Sequence, residues 1–289
     1  MGGPVMSHIV PVHCLRRPRL APVVGRLRAA ALALALFALP LAGHADEPPT
    51  AAEIVERANN ASYYAGNDGR TEARMLIVDG RGREQTRQFT ILRRDVEAGG
   101  EQHYLVVFSR PSEYRNVVFL VEKHPGADDD RWLYLPDMDL VRRIAPGDKR
   151  TSFVGSHVFY EDVSGRHLED DEHTLQEVTD EYYVLRSTPR DPGSVEFAAY
   201  TTWIDRATDL PVRIEYEDQD GEVYRRIAST DIREVDGYPT AMRMRVDDLE
   251  SGGHTLVQFR GVEYDLGIPA AVFSERSLRN PPRDWLRGR

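Results

Sequence analysis

Residues 240–248 read Thr-Ala-Met-Arg-Met-Arg-Val-Asp-Asp. Successive side chains of an extended backbone point to opposite faces, so Met242, Met244 and Val246 share one side and Arg243, Arg245 and Asp247 the other. This alternation fits an antiparallel sheet with one apolar and one wet face. The reading extends outward. Ser251-Gly252-Gly253 is a tight-turn signal before a second alternating run, 255–263. Upstream lie 223–232, 212–217, 199–205 and 182–187, with Asp220-Gly221 as another turn. In the first half, 71–78 and 85–94 flank Asp79-Gly80-Arg81-Gly82, which is hairpin chemistry; 103–108, 116–122, 131–135 and 140–144 follow. About a dozen short strands and very little helix predict a mainly β (α+β) fold built on one large, strongly curved antiparallel sheet. The helical segment is 51–60: Thr50 and Glu53 form a capping box, and Ala51, Ile54, Val55 and Ala58 share a face. It is suited to cover the concave, apolar side of the sheet. Residues 280–289, with Pro281-Pro282, read as a poorly ordered end.

The start of the chain has a different character. Arg16, Arg17, Arg19, Arg26 and Arg28 precede an apolar run, Ala29 to Leu41, and Gly43-His44-Ala45 offers small residues at a cleavage site. Residues 1–45 therefore read as a cleavable signal peptide and 46–289 as a single exported domain. The apolar run is too short to span a bilayer, which takes about 20 residues, and no integral membrane segment is expected in the mature chain. The one cysteine, Cys14, lies before the apolar run, so neither a lipid anchor nor a disulfide is expected. Loss of five arginines lowers the basic count from 37 to 32 against 47 acidic residues, for a charge of −15. Such a balance repels nucleic acid and anionic membrane surfaces. The expected product is a monomer in the periplasm.

The least regular stretch is Arg131 to Gly165. Trp132-Leu133-Tyr134-Leu135-Pro136 and Val141-Arg142-Arg143-Ile144 read as a strand and its return. Thr151 to Gly165 then sets Phe153, Val158, Phe159 and Tyr160 among glycines and serines, as core packing or as a pocket or flap. These motifs, with Ser152-Phe153-Val154-Gly155-Ser156-His157 and Tyr160-Glu161-Asp162, resemble the signature of the LolA-like outer-membrane lipoprotein-sorting family. The likeness is to its larger members, often associated with resistance–nodulation–division (RND) exporters. His157 departs from the family's aspartate. The resemblance implies a half-barrel whose few helices cover an apolar cavity, and a periplasmic carrier binding acylated lipoprotein or lipid. Transfer would be to the outer membrane, or to or from an RND-type inner-membrane transporter. A lipid-sensing regulatory module that binds a membrane-bound regulator is the alternative. Candidate cavity or mouth residues are Trp132, Tyr134, Phe153, Phe159, Tyr160, Met75, Met242 and Met244; Arg142 and Arg143 are candidates for a lipid phosphate or carboxylate.

Catalysis is not expected. Nucleophile-elbow, P-loop and dinucleotide motifs are absent from the sequence, and Ser152, Ser156 and His157 as neighbours do not make a triad. His167-Leu-Glu-Asp-Asp-Glu-His173 could ligate a divalent metal for hydrolysis but reads better as an acidic exposed loop. No cofactor or metal is expected.

Overall fold

A computed structural model describes residues 49–288; the expected signal peptide lies outside them. Two antiparallel meanders make one sheet. The first is β1 (Asp68–Val78), β2 (Glu84–Asp95), β3 (Gln102–Arg110), β4 (Val118–Lys123), β5 (Asp130–Leu135) and β6 (Leu140–Arg143). The second is β7 (Asp171–Val178), β8 (Tyr182–Pro189), β9 (Ala199–Asp205), β10 (Pro211–Glu217), β11 (Val223–Val235), β12 (Tyr238–Asp248) and β13 (Gly253–Tyr264). The order across the thirteen strands is β6-β5-β4-β3-β2-β1-β13-β12-β11-β10-β9-β8-β7, so β1 and β13 join the meanders. Curvature of this open sheet makes the half-barrel.

Several hairpin turns share one device. In four of them an aspartate closes the turn by accepting backbone N–H groups. Asp79 takes those of Arg81 and Arg83, Asp218 those of Asp220 and Glu222, and Asp248 those of Glu250 and Ser251. Between β9 and β10, Asp205 takes those of Ala207 and Thr208.

The edge strands β6 and β7 are consecutive in the chain, so the segment between them must cross the open side of the sheet. This strap, residues 144–170, carries one short helix, α2 (Tyr160–Ser164). Its Phe153, Val158 and Tyr160 join inner-face residues of β1 to β4 in the main core, with Phe153 packed against Phe108 and Phe119. On the other side of the mouth it is tied to β13 by His157 and Thr255, and to β11 by Asp162 and Arg225. The concave face is also covered by α1 (Ala51–Tyr63), whose capping box forms as expected: the Glu53 amide donates to Thr50 Oγ1 and the Thr50 amide to Glu53 Oε2.

Four sequence expectations are corrected. The helix runs on to Tyr63 because tertiary partners receive its end: the Tyr63 carbonyl accepts from Arg93 and Gln102, at 2.6 and 2.7 Å. The acidic run after His167 is not all loop; Asp171–Val178 is β7, an edge strand, where charge on the free side discourages pairing with other chains. The C-terminal residues pack. Trp285 and Leu286 lie against an outer cluster with Phe273 and Leu278, and the Leu286 carbonyl accepts from buried Arg70. The sheet is therefore not wet along its whole convex side. Leu92, Leu105, Val107 and Leu120 are buried there under residues 266–286, as the uninterrupted apolar runs of β3 and β4 require. No helix among the described residues is long and apolar enough to cross a membrane.

Candidate functional site

Between the concave face, α1 and the strap lies a cavity of about 410 Å³. Its wall is mostly apolar: Met75, Phe89, Val106, Ile214, Val257 and Phe259 come from the sheet, and Val55 and Ala58 from α1. These side chains follow the strand alternation. Met75 and Met244 both stand opposite Val257 across the β1–β13–β12 ladder.

One end is polar. Tyr63, Glu161, Asp162, Arg166, His173 and Tyr200 line it. Glu161 is 2% exposed and pairs with Arg150, Arg166 and Lys149. Burial pushes its pKa up, but the three cations prevail and hold it at about 2. Arg166 also forks onto Asp171, at 2.7 and 2.9 Å, and Asp171 accepts from the Tyr200 hydroxyl at 2.7 Å. Lys123, buried behind this end, donates to the Ser164 carbonyl at 2.7 Å. Burial lowers its pKa to about 8 against the pull of Asp129. His167 bonds Asp129 at 2.8 Å, fastening the strap's exit to the connection between β4 and β5.

Of the ten residues singled out by sequence, Met75, Phe153 and Met244 line the cavity. Tyr160 is in the core beside Phe119 and Phe153. Phe159 lies under the guanidinium groups of Arg225 and Arg150, at 4.1 and 5.2 Å. Trp132 and Tyr134 stand on the convex face, against the outer cluster. Met242 is half-buried on β12, outside the lining. Arg142 and Arg143 are exposed on edge strand β6, where Arg143 bonds Asp130. Reading of the sequence assigns no role to Tyr63, Glu161, Asp162 or Arg166. Glu161 and Asp162 stand in a quoted motif, whereas nothing near Asn59-Asn60 signals that Tyr63 reaches the site.

The chemistry set aside from sequence has local partners. Ser152 and Ser156 donate to carbonyls of their own loop, and His157 Nδ1 meets Thr255 Oγ1 at 2.9 Å. His173 holds Ser187 and the Leu168 carbonyl with its two ring nitrogens. Among the described residues Glu122, His124 and Asp130 come together with metal-ligand spacing, but Arg143 occupies Asp130.

Residues 100–280, more than half of the chain, match a family model whose description reads "-like: Uncharacterized protein". None of the curated proteins compared by sequence matches. Among solved structures, a DUF1329 family protein from Desulfovibrio piger is 28% identical, with TM-score 0.71 over 78% of this chain and 96% of that one. An outer-membrane lipoprotein-sorting protein domain from Vibrio parahaemolyticus is 23% identical, with TM-score 0.71 over 79% and 97%. A LolA superfamily protein from Nitrosomonas europaea is 18% identical, with TM-score 0.61 over 79% and 99%. The last two show the same fold. The chain thus belongs to the family whose model matches residues 100–280, and its half-barrel with a covered cavity has the LolA-like fold.

Proposed function

We propose that the protein is a monomeric periplasmic carrier that holds the acyl chains of a lipoprotein or lipid in this cavity. It passes them to the outer membrane, or to or from an RND-type exporter, and makes no covalent change to them. The observation that most supports this reading is an apolar cavity of about 410 Å³ inside an acidic chain of net charge −10. Its volume lies within the range of roughly 300–1,000 Å³ typical of small-molecule sites. An acyl chain in water costs about 0.8 kcal/mol per exposed CH₂, so a carrier must offer an apolar interior and a charged exterior. The leader-like residues 1–45 fit an exported protein crossing the space between two membranes.

Native mass spectrometry and lipid extraction of the protein purified from the periplasm test the reading. Acyl species bound on isolation, or taken up on addition, are expected. A protein that neither carries nor takes up acyl species overturns it.

A further inference from the structure

Most polar groups lining the cavity are already satisfied. Arg93 donates to the carbonyls of Tyr63, Ala65 and Gly66 and to Asp95. Arg166 is held by Asp171 and Glu161, and His173 by Ser187 and Leu168. Two groups differ. The hydroxyls of Tyr63 and Tyr216 make no hydrogen bond among the described residues, although both side chains line the cavity and Tyr216 is only 6% exposed. Neither oxygen is sealed away from open space, as the unpartnered Nε and Nη1 of Arg225 are. Open to the cavity, both hydroxyls are donors for an acceptor that enters it.

The surroundings restrict what that acceptor is. Burial raises the pKa of both phenols; Asp162 and Glu161 add to it, while Arg225, and at Tyr216 also Arg150, oppose it without reversing the direction, so both remain protonated donors. The cations here are bonded to carboxylates: Arg225 to Asp162, Arg150 to Glu161 and Glu196, Arg166 to Glu161 and Asp171. An anionic head brought to this end would lose its hydration and meet the Glu161 and Asp162 carboxylates without a free cation. A neutral carbonyl oxygen loses little and gains two donors.

We propose that Tyr63 and Tyr216 donate hydrogen bonds to the ester or amide carbonyls of the acyl cargo, so that the cavity selects acyl groups in neutral linkage over free fatty acids and ether-linked chains. This rests on the carrier reading above and adds a head-group preference to it.

The test compares three probes on the exported chain by displacement of a fluorescent diacylglycerol: dioleoylglycerol, its dioleyl ether analogue and oleate. Two hydrogen bonds predict roughly tenfold tighter binding of the ester than of the ether, with oleate weakest. Tyr63→Phe/Tyr216→Phe keeps both rings and is expected to bring the ester down to the ether's affinity while leaving the ether unchanged. Should the double variant not fold, each single variant is expected to lose about threefold for the ester alone. Equal affinity of the wild type for ester and ether overturns the inference and leaves the carrier reading standing. So does oleate binding as tightly as the ester, or variants that weaken ester and ether alike. Failure to bind any of the three overturns the carrier reading itself.

Discussion

Gly165 and Tyr63 constrain each other. Gly165 closes α2 at φ 79° and ψ 152°, a region open to almost no other residue. A Cβ there would also lie 2.7 Å from the Tyr63 ring. Gly165→Ala therefore combines backbone strain with a clash and is expected to cost about 3 kcal/mol, read as a lower urea midpoint. Acyl-ester binding should weaken as well, because the displaced ring carries a cavity hydroxyl. Glu161 gives this end of the strap a pH dependence. Its folded pKa of about 2 lies below the ordinary 4.5. The stability it contributes is fully present above about pH 4.5 and is lost as pH falls through about 2. The size is about 3 kcal/mol. Urea unfolding at pH 7 and pH 3 should show a smaller acid loss in Glu161→Gln than in the wild type, with the variant already weaker at neutral pH.

At the scale of elements, the two faces of the first meander are separable. Phe273 is 3% exposed in the outer cluster, away from the cavity. Phe273→Ala should cost about 3–5 kcal/mol by denaturant unfolding, with acyl affinity unchanged under conditions where the variant stays folded. An effect on affinity would mean that the outer cluster and the cavity communicate through β3 and β4. The same elements explain which parts of the fold the sequence reveals. Alternation in Met242 to Asp247 and Thr50–Glu53 capping are local patterns, and both form as read. β7 escapes because an edge strand manages its free side with the acidic side chains that mark a loop. The C-terminal segment escapes because Trp285 and Leu286 owe their order to a distant apolar surface, and Pro281-Pro282 suggests none. The site is less legible than the fold. Strand parity brings Met75 and Met244 into the cavity, but Trp132 and Tyr134 alternate onto the face that the tail covers. Tyr63 and Tyr216, from α1 and β10, are brought together at the cavity only by the tertiary fold.

For the whole molecule, the cavity is a gap left inside a core that is otherwise closed. Phe153 and Tyr160 of the strap fill part of the concave space, and α1 covers another part. A ligand that enters binds the folded state and not the unfolded chain, so it stabilises by mass action. At a free concentration of about 100 times Kd the gain is about 2.7 kcal/mol. For a chain of this size that corresponds to a rise in melting temperature of roughly 5–10 °C. Dioleoylglycerol is expected to produce such a rise in the purified protein. Met244→Trp extends a lining side chain of β12 into the gap, where space exists for it. It should leave the melting temperature of the free protein within a few degrees and abolish the ligand-induced rise. Phe273→Ala should do the reverse, lowering the starting temperature and keeping the rise. If Met244→Trp retains the full rise, the acyl chains bind elsewhere, and the convex face becomes the surface to search.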